Sequence, residues 1–280
     1  MGDIPVLPEP QRLRVQKAGS RPEECEDAEF VWPGDPRVDS EGRTVVSLYV
    51  AVSDGASESL LAGAWARRLA QDAAESLCVA GDWWLDPRAF VEDLMDRSAR
   101  AWDPYLVRYQ AERAARGRPI TWYEQPGLEK GAFATVLGAE VRATLAEDGV
   151  AHWSWHAFAL GDSCLFQLRD GVVHDSFPVR SVEEFGITPQ LLGSRNRDVA
   201  LVTARVAVAQ GELLPGDELV LATDALAAWM LSPDHERSSV SRQLALFAEL
   251  GEEFFAEWVD DQRARSLMRN DDVTLVRVTV

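Results

Sequence analysis

Residues 132–160 read AFATVLGAEVRATLAEDGVAHWSWHAFAL. Two runs, 132–144 and 151–160, alternate along the chain with a period of two, and Glu147-Asp148-Gly149 stands between them. A period of two puts successive side chains on opposite faces of a strand, and Asp-Gly between two such runs is a hairpin turn. The stretch therefore predicts two antiparallel strands. A second hairpin follows, with residues 163–168, a turn at Arg169-Asp170-Gly171, and a return strand from Val172.

Further strands are predicted at 44–52 (TVVSLYVAV), 199–208, 218–223 and 273–280. Residues 58–78 carry Leu60, Leu61, Ala64, Trp65 and Leu69 at helical spacing, with Ser57 as the candidate N-cap. A second helix is predicted over 87–116, capped by Asp86 and interrupted at Pro104. Short and long helical stretches follow Asp224 and span 238–266, and residues 117–130 read as a loop. Residues 1–20 form a lead-in strand or tail, and 21–280 a single domain, because no linker or internal repeat divides them. Helices, hairpins, helices and a last strand predict an α+β fold, a four-layer α/β/β/α sandwich of two antiparallel sheets flanked by helices. Strictly alternating strand–helix units are absent, which argues against doubly wound and barrel folds.

The chain has 280 residues and a formal charge of −18, with lysine only at Lys17 and Lys130. Such a surface repels nucleic-acid phosphates, so no nucleic-acid partner is expected. The most apolar run, 219–231, is too short to span a membrane and is broken by Asp224. The first residues, MGDIPVLPEP, lack the basic and apolar regions of a secretory signal. Cys25, Cys78 and Cys164 are odd in number and follow no metal spacing. They suit a reducing compartment, and a cytoplasmic location is the expectation.

Acids recur at the ends of apolar strands: Asp27 in ECEDAEF, Asp54-Gly55 after YVAVS, Asp162 in FALGDS, Asp224 in LVLATDAL, and Asp271-Asp272 before VTLVRV. Each alone has a plainer reading. Asp54-Gly55, Asp162 and Asp271 suit turns, Asp224 suits an N-cap, and Glu26-Asp27 suits a charged loop. Together they place five carboxylates beside buried strands, where uncompensated charge is costly. Divalent cations held by oxygen ligands are the simplest compensation, and an all-oxygen set suits Mg²⁺ or Mn²⁺ rather than zinc. His152 and His156, four apart in a strand pattern, lack the helical setting of a zinc motif. Trp153 and Trp155 read as sheet packing, and Trp83-Trp84 and Trp122-Tyr123 as packing or a partner surface.

The ordered series EDA, strand-DG, GDS, strand-TDAL and DDVT, from about Asp27 to Val276, resembles the protein phosphatase 2C family, metal-dependent serine/threonine phosphatases. The resemblance is to a divergent, bacterial-type member, and the family fold agrees with the sandwich predicted above. It implies hydrolysis of phosphoserine or phosphothreonine in a phosphorylated protein, through a water bridging two Mn²⁺ or Mg²⁺ ions, with a third ion in some members. A catalytically weak, phosphoprotein-binding regulator is the alternative. The resemblance implies that Asp54 bridges the metals and the Gly55 carbonyl binds one of them, while Asp224 and Asp271 ligate the other. It further implies that Asp27 holds a water on the metal beside Glu26, and that Asp162 serves a third ion with Asp224. Asp272, adjacent to Asp271, is an alternative ligand. The family's phosphate-binding arginine falls at Pro22, so Arg21, one residue further out, is the candidate here. The sequence also departs from the family pattern in DGASES, GAFAT, and Cys164 after GDS.

Overall fold

The computed structural model describes residues 5–39, 41–146, 149–185, 189–233 and 237–280. One sheet has the order β11 (Ala207–Leu213), β7 (Ala151–Leu160), β6 (Val136–Leu145), β4 (Thr44–Ser53), β2 (Ala28–Pro33), with the short β3 (Arg37–Val38) also on β4. The other runs β1 (Gln11–Val15), β13 (Val273–Thr279), β12 (Glu218–Ala222), β8 (Cys164–Arg169), β9 (Val172–Phe177). Every one of these pairings is antiparallel. Two-residue strands β5 (Phe133–Ala134) and β10 (Leu192–Gly193) form a separate pair.

The period of two sorts the side chains into layers. Leu48, Val50 and Val52 of β4 and Leu137, Ala139 and Val141 of β6 face Leu219, Leu221, Val276 and Val278 of the second sheet in a shared apolar layer. The alternate residues Tyr49, Ala51 and Phe158 face outward and are covered by α1 (Ala62–Ala80) and α2 (Pro87–Ala115). On the other side Phe166, Val220 and Leu275 are covered by α5 (Asp224–Leu231) and α6 (Arg237–Ala264). The four-layer α/β/β/α sandwich predicted from the sequence is the observed architecture. Each fully buried valine, leucine or phenylalanine stabilises it by about 1.5–3 kcal/mol relative to exposure.

Local departures have physical causes. Residues 199–208 are not one strand: α4 (Val199–Thr203) comes first because the Asp198 side chain caps it, accepting from Leu201 N at 3.0 Å, and β11 starts only at Ala207. The first helix begins at Ala62 rather than near Ser57, after Leu61 in the left-handed region. The Ser57 hydroxyl instead donates to Glu26 at 2.5 Å. Asp86 caps α2 as expected, accepting from Ala89 N at 3.1 Å, but the helix runs through Pro104. The predicted loop 117–130 ends in a short helix, α3 (Gln125–Lys130). The final long helix bends at Gly251, where φ is 78°. The turn residues Glu147 and Asp148 lie outside the described residues, as do residues 1–4 of the lead-in. Within the rest of the lead-in, Gln11–Val15 pairs along β13 as an edge strand of the second sheet.

Trp155 is buried between the sheets as expected, its indole donating to Gln167 at 2.9 Å. Trp83 is buried, and Trp84 stacks on His156 at 3.5 Å, whereas Trp122 is 86% exposed. The three cysteines are free. Among the described residues no helix is long and apolar enough to cross a membrane.

Candidate metal centre

The ends of the central strands meet at one edge of the sandwich. Asp54 follows β4, Asp162 sits in the turn between β7 and β8, and Asp224 opens α5 directly after β12. Carboxylate oxygens of these three residues lie within 4.8 Å of one another. The charges of Asp27 and Asp271 also act on Asp54. Five acids that are more than 240 residues apart at the extremes therefore share one electrostatic site.

A frame of small polar groups holds them. Thr135 N donates to the Asp54 carbonyl at 2.8 Å, and Asp54 N donates back to Thr135 Oγ1 at 3.1 Å. Thr135 and Ser163 hydroxyls are 3.0 Å apart, which ties the β6 entrance to the turn carrying Asp162. Gly161 in that turn has φ 117°, and a Cβ there would sit 2.5 Å from the Thr135 methyl, so only glycine fits. Gly55 is equally constrained: a Cβ would lie 2.8 Å from the Glu26 carbonyl oxygen and from the Ala62 carbonyl carbon. Thr223 Oγ1 donates to Asp27 at 2.7 Å and accepts from Thr274 N at 2.9 Å, which joins the β12 and β13 ends to Asp27.

The adjacent pair Asp271-Asp272 is divided by these contacts. Asp272 is buried, and its two oxygens accept from Lys17 N and Glu26 N, both at 2.7 Å. Its carboxylate is committed to the loop after β1. The charge of Asp271 instead acts on Asp54, Asp162 and Asp224.

Burial pushes all four shifted carboxyls upward. Asp27 rises to about 8, through desolvation and then the charges of Asp272 and Asp224, against the Thr223 hydrogen bond. Asp54 is held well above the ordinary carboxylate range by desolvation and by Asp27, Asp224, Asp271 and Asp162. Asp224 rises to about 6 through desolvation, with Arg269 pulling the other way, and Asp162 is raised by desolvation too. Asp27 Oδ1 and Asp162 Oδ1 are buried without a hydrogen-bond donor. Unpaired buried carboxylate oxygens next to like charges are unfavourable by themselves and fit a hard divalent cation.

Two cations at the site escaped the sequence reading. Arg269 forms an ion pair with Asp224. Lys17 Nζ lies 3.1 Å from Glu26 and donates to Ser57 at 3.1 Å. The only sequence signal for Arg269 was its position two residues before Asp271. Arg21 stands apart: its side chain is 78% exposed and pairs with Glu24 at 2.9 Å, with no contact to the acidic cluster.

The sequence matches no family model and no curated protein. Among solved structures the chain is similar to the photosystem II phosphatase PBCP, with 15% identity and a TM-score of 0.53 over 97% of this chain and 98% of that one. The fold is that of the protein phosphatase 2C family. Lower-scoring similarities to proteins of the phosphatase 2C type include the catalytic domain of the serine threonine protein phosphatase PstP in complex with two manganese ions (15% identity, 98% of each chain, TM-score 0.48). They also include the S. agalactiae serine/threonine phosphatase (16% identity, 97% of this chain and 100% of that one, TM-score 0.47).

Two predictions test the site as built. Asp27 and Asp54 hold protons more tightly folded than unfolded, so their contribution to stability is full below the unfolded value and is lost as pH rises through the folded one. His156, lowered to about 4 by burial, is neutral in both states above its ordinary value and does not oppose this at higher pH. With a chelator present, the melting temperature should fall between about pH 6.5 and 8.5, and divalent metal should remove most of that fall. A flat or rising melting curve over that interval would contradict the buried charge. Separately, Asp272→Ala should cost about 2–4 kcal/mol in chemical denaturation, since two charge-assisted hydrogen bonds are lost. A loss below about 1 kcal/mol would mean the clasp between the first loop and β13 is not held by Asp272.

Proposed function

We propose that this chain is a Mn²⁺- or Mg²⁺-dependent protein phosphatase acting on phosphoserine or phosphothreonine. The observation that carries the reading is the set Asp54, Asp162 and Asp224, with oxygens inside 4.8 Å and Asp162 Oδ1 unpaired. A fold shared with a phosphatase accords with it. Asp54, Asp224 and Asp271, with the Gly55 carbonyl, would hold two ions, and Asp162 with Asp224 a third. When bound, such ions supply positive charge that polarises a phosphoryl group and lowers the pKa of water.

The chain's own groups then have defined work. Asp54 is pinned through its backbone by Thr135, which sets where its side chain leaves the end of β4. Asp27 is oriented by Thr223, which leaves Asp27 Oδ1 free to accept a proton from an attacking water. Lys17, at the rim with Glu26 and Ser57, is better placed than Arg21 to meet a phosphoryl oxygen.

One observation favours a second reading, a catalytically weak regulator that binds phosphoproteins. The Arg269–Asp224 ion pair puts a fixed positive charge where a cation's ligand is needed. Mn²⁺-dependent hydrolysis of a phosphothreonine peptide decides between the two. Activity should require divalent metal and fall at least about a hundredfold in Asp54→Asn. Metal binding without turnover would favour the regulator, and no metal binding would defeat both. Calorimetric titration of Arg269→Gln should show Mn²⁺ bound up to about fivefold more tightly than by the natural chain, the scale of a partly exposed ion pair. Weaker binding would show that Arg269 supports the site rather than competes for it.

A further inference from the structure

Away from the acidic edge, the outer helical layer carries a feature of opposite sign. A cavity of about 240 Å³ opens between α1 and α2. Arg67, Arg68 and Arg108 line it beside Trp102 and Tyr105, and no carboxylate is among the lining residues. Three arginines lining one cavity is unexpected on a chain of net charge −18.

The three arginines are not equivalent. Arg68 is spent on Asp72, a fully buried carboxylate one helical turn away. Arg67 and Arg108 are exposed and have no ion-pair or hydrogen-bond partner among the described residues. Both line the cavity with Tyr105, whose phenol burial pushes up, their charges opposing and Tyr109 and Glu112 adding to the rise. The wall between them is rigid: Trp102 stacks on Tyr105 at 4.9 Å, and Tyr105 on Tyr109 at 6.2 Å. Two unpaired guanidinium forks in a cavity also lined by Trp102 and Tyr105 match the oxygen geometry of a phosphoryl group better than a point charge would.

The cavity also adjoins the acidic site. A Cβ on Gly63 would lie 2.9 Å from Glu26 Cα and 3.6 Å from Arg67 Nη1. The Arg67 guanidinium thus reaches the loop that bears Glu26 and Asp27, and a ligand seated on it would border the loop without entering the carboxylate cluster.

We infer that the cavity between α1 and α2 is an anion-binding site that takes a phosphoryl group of a phosphorylated polypeptide segment, through Arg67 and Arg108. The inference deepens the phosphatase reading, because it supplies a docking point for a phosphoprotein beside the proposed centre. It remains testable without catalysis.

The test uses the full chain with a chelator, so that nothing is hydrolysed, and a fluorescein-labelled phosphothreonine peptide read by anisotropy. The natural chain should bind it more tightly than the unphosphorylated peptide, with affinity falling as salt rises. The double variant Arg67→Gln, Arg108→Gln should bind it at least about tenfold more weakly, the loss of two charge-assisted contacts. Its melting temperature and calorimetric Mn²⁺ affinity should stay unchanged, since neither arginine joins an ion pair or the acidic cluster. Inorganic phosphate should compete with the peptide in the natural chain. Unchanged peptide affinity in the double variant would overturn the inference, as would equal binding of the unphosphorylated peptide. Arginine-dependent binding to phosphatidylserine vesicles without peptide binding would also overturn it, in favour of a membrane surface. Failure of the phosphatase reading looks different: no Mn²⁺-dependent turnover, with this peptide binding intact.

Discussion

Mutual repulsion among carboxylates withdrawn from water is the constraint on which the site depends. Asp27, Asp54, Asp162 and Asp224 are each raised by their own desolvation, and Asp271 adds its charge. No arrangement of apolar residues relieves that cost. The strands behind the acids must be held together by something else, and the inter-sheet layer of Leu48, Val50, Leu137, Leu221 and Val276 does so. The core stabilises the sandwich strongly enough to keep at one edge a cluster that would otherwise spring apart. Sites that bind cations are often built against local stability in this way.

Much of the frame around the acids is neutral or committed elsewhere. Thr135, Ser163 and Thr223 position acids through hydroxyls and backbone groups without adding charge. Asp272 resembles Asp271 in sequence but spends its charge on two backbone donors of the first loop. Arg269 is the exception, a cation touching a ligand-type acid. The active and the regulatory readings differ in what becomes of that one ion pair when metal arrives.

Much of the fold was legible because burial imposes its period on the chain. The runs 132–144 and 151–160 alternate because one face of the sheet meets the other sheet and the opposite face meets helices. Legibility failed where a local contact outweighed the pattern. Residues 199–203 look like strand by composition, but Asp198 caps them into a helix. Ser57 looks like a helix cap, but Glu26, thirty-one residues away, takes its hydroxyl. Arg21 was favoured by its distance from Asp27 along the chain, yet its neighbour Glu24 holds it at the surface. Lys17 gave no signal and Arg269 only its place two residues before Asp271, since a lone basic residue in a loop reads the same whether it faces solvent or an acid.

By itself the sequence determined which chemistry was available: oxygen donors at strand ends, no thiolate or imidazole set, and alternating runs that must form two antiparallel sheets. Those properties follow from residue type and period, which are local. Only the tertiary structure decided which carboxylates meet, that the charge of Asp271 acts on the cluster while Asp272 clasps the first loop, and that Arg269 pairs with Asp224. Only it opened an arginine-lined cavity beside the Glu26–Asp27 loop. The reason is physical: charges interact through space, and distance along the chain says nothing about how far apart they lie once the sheets have packed.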